Sequence, residues 1–385
     1  MSAYHQLGHH SESMVLEQSL QAFSGVILSP VNYSPAETPG QCERFRHERP
    51  HFDVVFDPQL YVPQTGRGKL QEWTHMPTDL DTHDPSSVRW WAGVVDRVID
   101  ATQPFRPSAV CSPAPFPRAF DDGFYEMLVD TGNLLSARLR DTRVRPVLTA
   151  LVGLADLGRN QRHLQVASLL SRFVAEDIYL LLADDEPPRF ERADSAALEG
   201  AIRLIRLLTE AGFRVTVGCT SSEMILWKAA GAAHVATGKF FNLRRFTLSR
   251  WDDEAETGGR NISYWFEPSL LAFLREADLR RYMRDFPISE LHEANPHSRR
   301  ILEVLQDSTY TAWLAESWRQ FLFWFAECER QLAENAGLTG ALLQNATANW
   351  QRVHAVKLRM EEPRNDGAWV RAWDIALSEA DRRPD

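Results

Sequence analysis

Residues 196–236, AALEGAIRLIRLLTEAGFRVTVGCTSSEMILWKAAGAAHVA, decide the fold of this chain. Apolar residues recur at helical spacing in the first part, and Gly212 then separates it from a short β-branched run. Two successive helix–strand units of near-minimal length are typical of a parallel α/β architecture. The predicted elements are helix Ala196–Ala211, strand Arg214–Val217, helix Ser221–Ala230 and strand Ala233–Ala236.

The same rhythm extends outward over the chain. Eight short apolar runs end in polar residues, Gly or Pro, and helical stretches separate many of them. The predicted strands are Gly25–Leu28, Asp53–Phe56, Ala109–Cys111, Val147–Leu151, Ile178–Leu182, Arg214–Val217, Ala233–Ala236 and Asn261–Phe266. Eight such units predict an α/β fold, a (β/α)8 TIM-type barrel. Because these barrels build their sites at the C-terminal strand ends, the residues after each run are the site candidates.

The length of 385 residues exceeds the roughly 250 of a bare barrel. We therefore expect an N-terminal segment with a lid helix at Ser13–Phe23 (residues 1–24), the barrel (residues 25–285) and a C-terminal helical extension (residues 286–385). The extension is rich in tryptophan. Its aromatic face either packs on its own domain or forms a surface for a protein partner or a homodimer.

The composition bounds the class of protein. A formal charge of −10 argues against broad nucleic-acid binding, although it leaves a local basic groove open. The four cysteines lie far apart, which predicts a reduced chain without disulfides or a structural zinc site. The N-terminus does not resemble a secretory signal, and no apolar run approaches the roughly 20 residues of a membrane span. The expectation is a cytoplasmic protein that does not bind membranes.

The most basic candidate segment follows the predicted seventh strand. Residues 237–250, TGKFFNLRRFTLSR, carry Lys239, Arg244, Arg245 and Arg250 without an acid. Loops after the late strands of such barrels often bind phosphate, and Phe240 among these cations is suited to stacking on a base or sugar. Lys239 is also a candidate for a Schiff base or an electrostatic role. In the alternative reading, the phenylalanines are core residues and the arginines pair with the downstream acids Asp252, Asp253 and Glu254.

Two carboxylates are the main catalytic candidates. Asp57 and Glu267 each end a predicted strand and precede a proline, which fixes the turn. A facing pair of carboxylates would serve as acid and base, or as nucleophile and base. In the structural alternative, Asp57 only forms a turn. The predicted orienting and substrate-binding groups are Asn32, Gln59, Tyr61 and Arg118.

One stretch resembles a known family. Residues 217–245, VGCTSSEMILWKAAGAAHVATGKFFNLRR, look like the late barrel unit of the tRNA-guanine transglycosylase superfamily. The resemblance implies a barrel that transfers glycosyl groups. Residues Ala236–Gly238 stand where the family has its nucleophilic aspartate, so it also implies that Asp57 or Glu267 takes that role. The family's Cys/His zinc cluster has no counterpart here.

These observations predict an enzyme acting on a phosphate-bearing substrate, a nucleotide or a nucleic acid. Strand-end carboxylates would do the chemistry, and Lys239, Arg244 and Arg245 would form an anion clamp. The reaction class left open is a transferase, or else a lyase or hydrolase. The sequence indicates no metal site and names no cofactor. The competing prediction is a non-catalytic barrel that serves as a recognition or scaffold subunit of a larger assembly.

Overall fold

The computed structural model describes residues 3–77, 88–251, 262–307, 312–335, 337–362 and 364–382. Within them, eight parallel strands close into a barrel in chain order, with β1 hydrogen-bonded to both β2 and β8. The strands are β1 (Ala3–Gln6), β2 (Phe23–Leu28), β3 (Asp53–Phe56), β4 (Ala109–Cys111), β5 (Arg145–Gly153), β6 (Asp177–Ala183), β7 (Arg214–Val217) and β8 (His234–Thr237). The prediction of an α/β TIM-type barrel with a C-terminal helical region is confirmed.

Helices connect most of the strands and continue beyond the barrel. Those within the barrel are α1 (Thr38–Glu48), α2 (Val88–Thr102), α3 (Asp122–Leu139), α4 (Leu154–Leu157), α5 (Arg162–Leu170), α6 (Ser195–Glu210) and α7 (Met224–Ala229). Those that follow it are α8 (Glu276–Asp285), α9 (Pro296–Gln306), α10 (Leu314–Glu334), α11 (Leu338–Ala355) and α12 (Ala368–Asp381).

The first strand lies where the sequence predicted a segment outside the barrel. β1 is only four residues long, and it includes the polar residues His5 and Gln6, both buried. The barrel therefore begins at Ala3 rather than at residue 25. The predicted lid helix Ser13–Phe23 is also wrong, because this stretch forms two 3-10 helices, Met14–Leu16 and Gln18–Leu20, and then enters β2.

The predicted eighth strand, Asn261–Phe266, is not part of the barrel. Asn261 lies outside the described residues, and Trp265–Glu267 (β9) pairs antiparallel with Ala272–Leu274 (β10) in a separate hairpin. The other seven predicted strands belong to the barrel as β2 to β8, so each has a number one higher than predicted. Consequently, the basic segment follows β8, and the loop that begins at Gly218 follows β7.

Charged and polar side chains tie the N-terminal ends of several strands together. Tyr4 on β1 donates to Asp53 on β3 at 2.7 Å, and Arg145 on β5 bridges Asp53 and Asp177. Residues at this end of a TIM-type barrel contribute to stability rather than to chemistry. The candidate site therefore belongs at the opposite end.

The tryptophan-rich helices pack on the barrel. α12 lies against α6, and α10 lies against α7 and β9. The indole of Trp373 donates to the carbonyl oxygen of Arg192 at 2.7 Å. The rings of Phe321, Trp324 and Trp369 are buried as well. These rings are covered by their own chain, as the packing alternative predicts.

Candidate active site

Asp57 follows β3 at the C-terminal end of the barrel. Its carboxylate is buried, and it accepts hydrogen bonds from the backbone N–H of Gln59 (2.9 Å) and from the Tyr61 hydroxyl, which lies 3.0 Å from both oxygens. Burial raises the pKa of Asp57 to about 6, although these hydrogen bonds and the charge of Arg250 oppose the rise. A carboxyl group that titrates near neutrality is suited to proton transfer.

Side chains on or just after three other strands share the electrostatic surroundings of Asp57. Tyr179 on β6, Cys111 at the end of β4 and Cys219 after β7 all have a raised pKa, mainly because they are buried, and the charge of Asp57 adds to each rise. Gln6 on β1 links two of these groups across the barrel. Its amide nitrogen donates to the Tyr179 hydroxyl at 2.9 Å, and its oxygen accepts from the Cys219 backbone N–H at 2.6 Å.

Two residues beside this site have a left-handed backbone. Gln59 has φ of 53° and Cys219 has φ of 52°. This region is unfavourable for residues other than glycine and costs on the order of 1–3 kcal/mol at each position. Six further described residues other than glycine have a positive φ elsewhere in the chain, and these two are the ones that lie in the loops after β3 and β7.

The loop after β8 covers Asp57. The ring of Phe246 lies edge-on to Tyr61 with centroids 4.8 Å apart, and the ring of Trp251 lies 5.2 Å from Tyr61. Thr65 donates to the Trp251 carbonyl oxygen at 2.7 Å. The same loop brings Arg250 to Cys219, with Nη1 4.0 Å from Sγ.

Three predicted site residues share one hydrogen-bonded network with Asp57. Gln59 accepts from the Ser29 hydroxyl at 3.0 Å, and Asn32 donates to that hydroxyl at 2.8 Å. Together with Tyr61, these groups join the loops after β2 and β3. Arg118 lies apart, exposed on the loop after β4. Its predicted role in substrate binding stays a prediction.

Two residues of the predicted anion clamp are held by their own chain. Arg244 donates to the carbonyl oxygens of Gly238 and Lys239, each at 2.9 Å, and its guanidinium lies 3.8 Å from the ring centroid of Phe321. Lys239 donates to the His10 carbonyl oxygen at 3.1 Å and lies over the rings of Phe240 and Trp318. Burial lowers the pKa of Lys239 to about 8 and that of Arg244 to about 9. These contacts hold Lys239, Phe240 and Arg244 against their own chain, and their predicted roles in the site stay predictions.

Arg245 belongs to a separate buried cluster of charges. Its Nη1 lies 3.5 Å from Asp184, which also pairs with Arg192 at 2.9 Å. Arg192 pairs in turn with the buried Glu223 at 2.7 Å. Because acids surround Arg245, a phosphate group placed beside it would face repulsion. The downstream acids Asp252, Asp253 and Glu254 lie outside the described residues.

Glu267, the second catalytic candidate, does not end a barrel strand. It lies in β9, fully buried, and accepts hydrogen bonds from Trp265 Nε1, the backbone N–H groups of Ser269 and Ser289, and the Ser269 hydroxyl. His292 Nε2 lies 3.1 Å from the same carboxylate. These contacts lower the pKa of Glu267 against the effect of burial. Glu267 therefore lies in the β9–β10 hairpin among several hydrogen-bond donors, and its catalytic role stays a prediction.

Sequence reasoning missed Gln6, Tyr179 and Cys219 as site residues. Gln6 lay in a segment that seemed too polar for the barrel, and Tyr179 seemed part of an apolar strand. Arg250 was noted in the basic segment but not selected. Polar residues that interrupt buried strand ends were the available signal.

The described residues contain no group of three or more His, Cys, Asp or Glu side chains that could hold a metal ion. In the same part of the chain, no helix combines the length and apolar character of a membrane span.

Comparison with known proteins gives only a distant similarity. No protein-family model matches the chain, and no curated protein matches it. Among solved structures, it is similar to a variant of Rhizobium etli pyruvate carboxylase determined with the allosteric activator acetyl coenzyme A. The sequence identity is 11% and the TM-score is 0.34, over 93% of this chain and 28% of that one. A similarity this low carries no argument about function.

Proposed function

We propose that this chain is a barrel enzyme that acts on a phosphate-bearing substrate, with Asp57 as the group that transfers a proton. The observation that carries the proposal is the buried Asp57 carboxyl group at the C-terminal end of the barrel, whose pKa lies at about 6. Catalytic acids and bases work best when their pKa lies near the working pH.

The neighbours of Asp57 supply the other parts of a catalytic site. Tyr61 fixes both carboxylate oxygens, and Gln6 orders Tyr179 and the strained Cys219 opposite them. Phe246 and Trp251 of the loop after β8 pack on Tyr61 beside them. In its finer form the proposal is glycosyl transfer on a nucleotide or nucleic acid, which is the activity that the transglycosylase resemblance implies.

The test is release or exchange of the base from the four ribonucleoside 5′-monophosphates and from total transfer RNA, with an added free nucleobase as the glycosyl acceptor, quantified by liquid chromatography with mass spectrometry. Wild-type protein is compared with Asp57→Asn and with the exposed control Asp285→Asn. We expect turnover to fall at least 100-fold in Asp57→Asn and to stay unchanged in the control. Undiminished turnover in Asp57→Asn would contradict the site, and no release or exchange from any of these substrates would contradict the substrate class.

A further inference from the structure

Arg250 is a buried arginine of the site whose charge has no acidic partner among the described residues. It is 6% exposed, and its hydrogen-bonding contact among the described residues is the weak one from Nη1 to Cys219 Sγ. Its guanidinium also lies 5.0 Å from the ring centroid of its neighbour Trp251. Within the described chain, no carboxylate lies within ion-pair distance of Arg250.

Other arginines of the barrel have stronger partners. Arg244, which is also buried, donates to two carbonyl oxygens at 2.9 Å. Arg145 contacts Asp53 and Asp177, and Arg192 contacts Asp184 and Glu223. A buried cation without such a partner costs several kcal/mol of desolvation unless something else compensates its charge. Residues that are unfavourable for stability in this way are often kept for function.

The charge of Arg250 acts on the proposed catalytic group, Asp57. It opposes the rise in pKa of Asp57, Tyr179 and Cys219, so its field reaches the loops after β3 and β7 as well as β6. The residue itself lies in the loop after β8, one of the places where TIM-type barrels bind anions.

We infer that Arg250, rather than Lys239, Arg244 or Arg245, binds the anionic group of the substrate, and that this group is a small oxyanion such as a phosphate. This inference rests on the proposed function for its location and names the anion contact of the same site. A guanidinium presents a planar fork of N–H donors that matches two oxygens of such an anion. The ligand would supply a negative charge beside Arg250, where the described residues place none.

Binding of an anion beside Arg250 must be linked to the protonation of Asp57. The charged and titratable groups that face Asp57 are Tyr61 on its own loop, Cys111 from β4, Tyr179 from β6, Cys219 after β7 and Arg250 after β8. The pKa values of these tyrosine and cysteine side chains are raised, whereas that of Asp57 is about 6. An ionised Asp57 repels the anion, so anion binding should strengthen as the pH falls through about 6.

Sulfate is the probe, because it keeps its two charges from pH 5 to 8. Calorimetric titration with sodium sulfate, against sodium chloride at equal ionic strength, gives the dissociation constant of the full-length protein at pH 5.5 and pH 7.5. The variants are Arg250→Met, Arg250→Lys and Asp57→Asn, with the exposed Arg138→Met as the control.

We expect the wild-type dissociation constant to rise at least fivefold between pH 5.5 and pH 7.5. Arg250→Met should weaken sulfate binding at least tenfold, Arg250→Lys should weaken it less, and Arg138→Met should leave it unchanged. Asp57→Asn should remove the pH dependence and bind tightly at both values. Arg250→Met should also melt at an equal or higher temperature without sulfate, which excludes unfolding as the cause.

Equal sulfate binding by wild type and Arg250→Met would overturn the inference. An absence of wild-type binding up to roughly 50 mM sulfate would also overturn it, because higher concentrations of the salt screen the charge of the site. Failure here is distinguishable from failure of the proposed function. Turnover that depends on Asp57 but not on Arg250 would uphold the function and reject this anion contact. Sulfate binding that depends on Arg250, without turnover, would uphold this anion contact and reject the proposed function.

Discussion

The phenolic oxygen of Tyr61 lies 3.0 Å from each oxygen of the Asp57 carboxylate, so a single hydroxyl steadies the whole group. This bond favours the ionised form of Asp57 and opposes the effect of burial.

Tyr61→Phe should therefore raise the pKa of Asp57 above about 6, by roughly one unit, because the charged form loses a donor while the apolar ring remains. The measurement is carbon-13 NMR of the aspartate carboxyl groups across a pH titration, with Asp57→Asn to assign the signal. Tyr33→Phe, which removes a hydroxyl bonded to Glu12, is the control. An unchanged or lower pKa in Tyr61→Phe would contradict the hydrogen bond.

Asp57→Asn should stabilise the protein at alkaline pH. The folded pKa of about 6 lies above the unfolded value, so the folded state holds the proton more tightly. That contribution is fully present below about pH 4 and is lost as the pH rises through about 6. A shift of about two units corresponds to about 3 kcal/mol.

The melting temperature of Asp57→Asn should thus exceed that of wild type by a few degrees at pH 8 and match it at pH 4. Differential scanning calorimetry at both values provides the comparison. A variant that melts lower than wild type at pH 8 would show that the carboxylate stabilises the fold, which would assign Asp57 to the turn.

Glu267→Gln should destabilise the protein by about 2–4 kcal/mol, because several buried donors lose a charged acceptor. The folded pKa is lowered, so this contribution is present above the unfolded value and is lost as the pH falls through the folded one. Urea unfolding at pH 7 measures it, with the exposed Glu290→Gln as the control. Lost turnover with unchanged stability would restore Glu267 as a catalytic candidate.

Arg192→Met should cost about 3–5 kcal/mol, because it leaves the buried Glu223 without its counter-charge. Arg364→Met is a matched control. Arg364 is exposed, and it pairs with Glu186, which lies in the same loop after β6 as Arg192. It should cost less than 1 kcal/mol, as surface ion pairs do. Urea unfolding measures the free energy of unfolding of both variants. An equal decrease in the two variants would contradict the distinction between the buried and the exposed ion pair.

Much of the barrel could be predicted from the sequence. The strands Asp53–Phe56, Ala109–Cys111 and Arg214–Val217 have the predicted limits. Strands buried on both faces appear as apolar runs between breaking residues, and that signal is local. The pairing partner of a strand is not local. Asn261–Phe266 was therefore assigned to the barrel although Trp265 and Phe266 pair in a separate hairpin, and Ala3–Gln6 was overlooked because His5 and Gln6 are polar.

The residues of the candidate site also fall into those that local sequence predicts and those that only the fold brings together. Asp57, Gln59 and Tyr61 were predicted together because they follow one strand on one proline-fixed turn. Gln6, Tyr179 and Cys219 meet Asp57 only when the sheet closes, which no local pattern reveals. In the loop after β8, composition identified a row of cations. Which of them lie against carbonyl groups, which against acids and which beside Asp57 depends on the path of the backbone.

The closure of the barrel by β1 also has a consequence for how the chain is made. Ala3 pairs with Val235, so the strand synthesised first waits for a partner about 230 residues away. At about 5–20 residues per second, the ribosome needs roughly 12–45 s to deliver it. During that time one side of the growing sheet stays open, and open sheet edges attract other chains. Nascent chains of this protein should thus depend on chaperones until β8 has emerged.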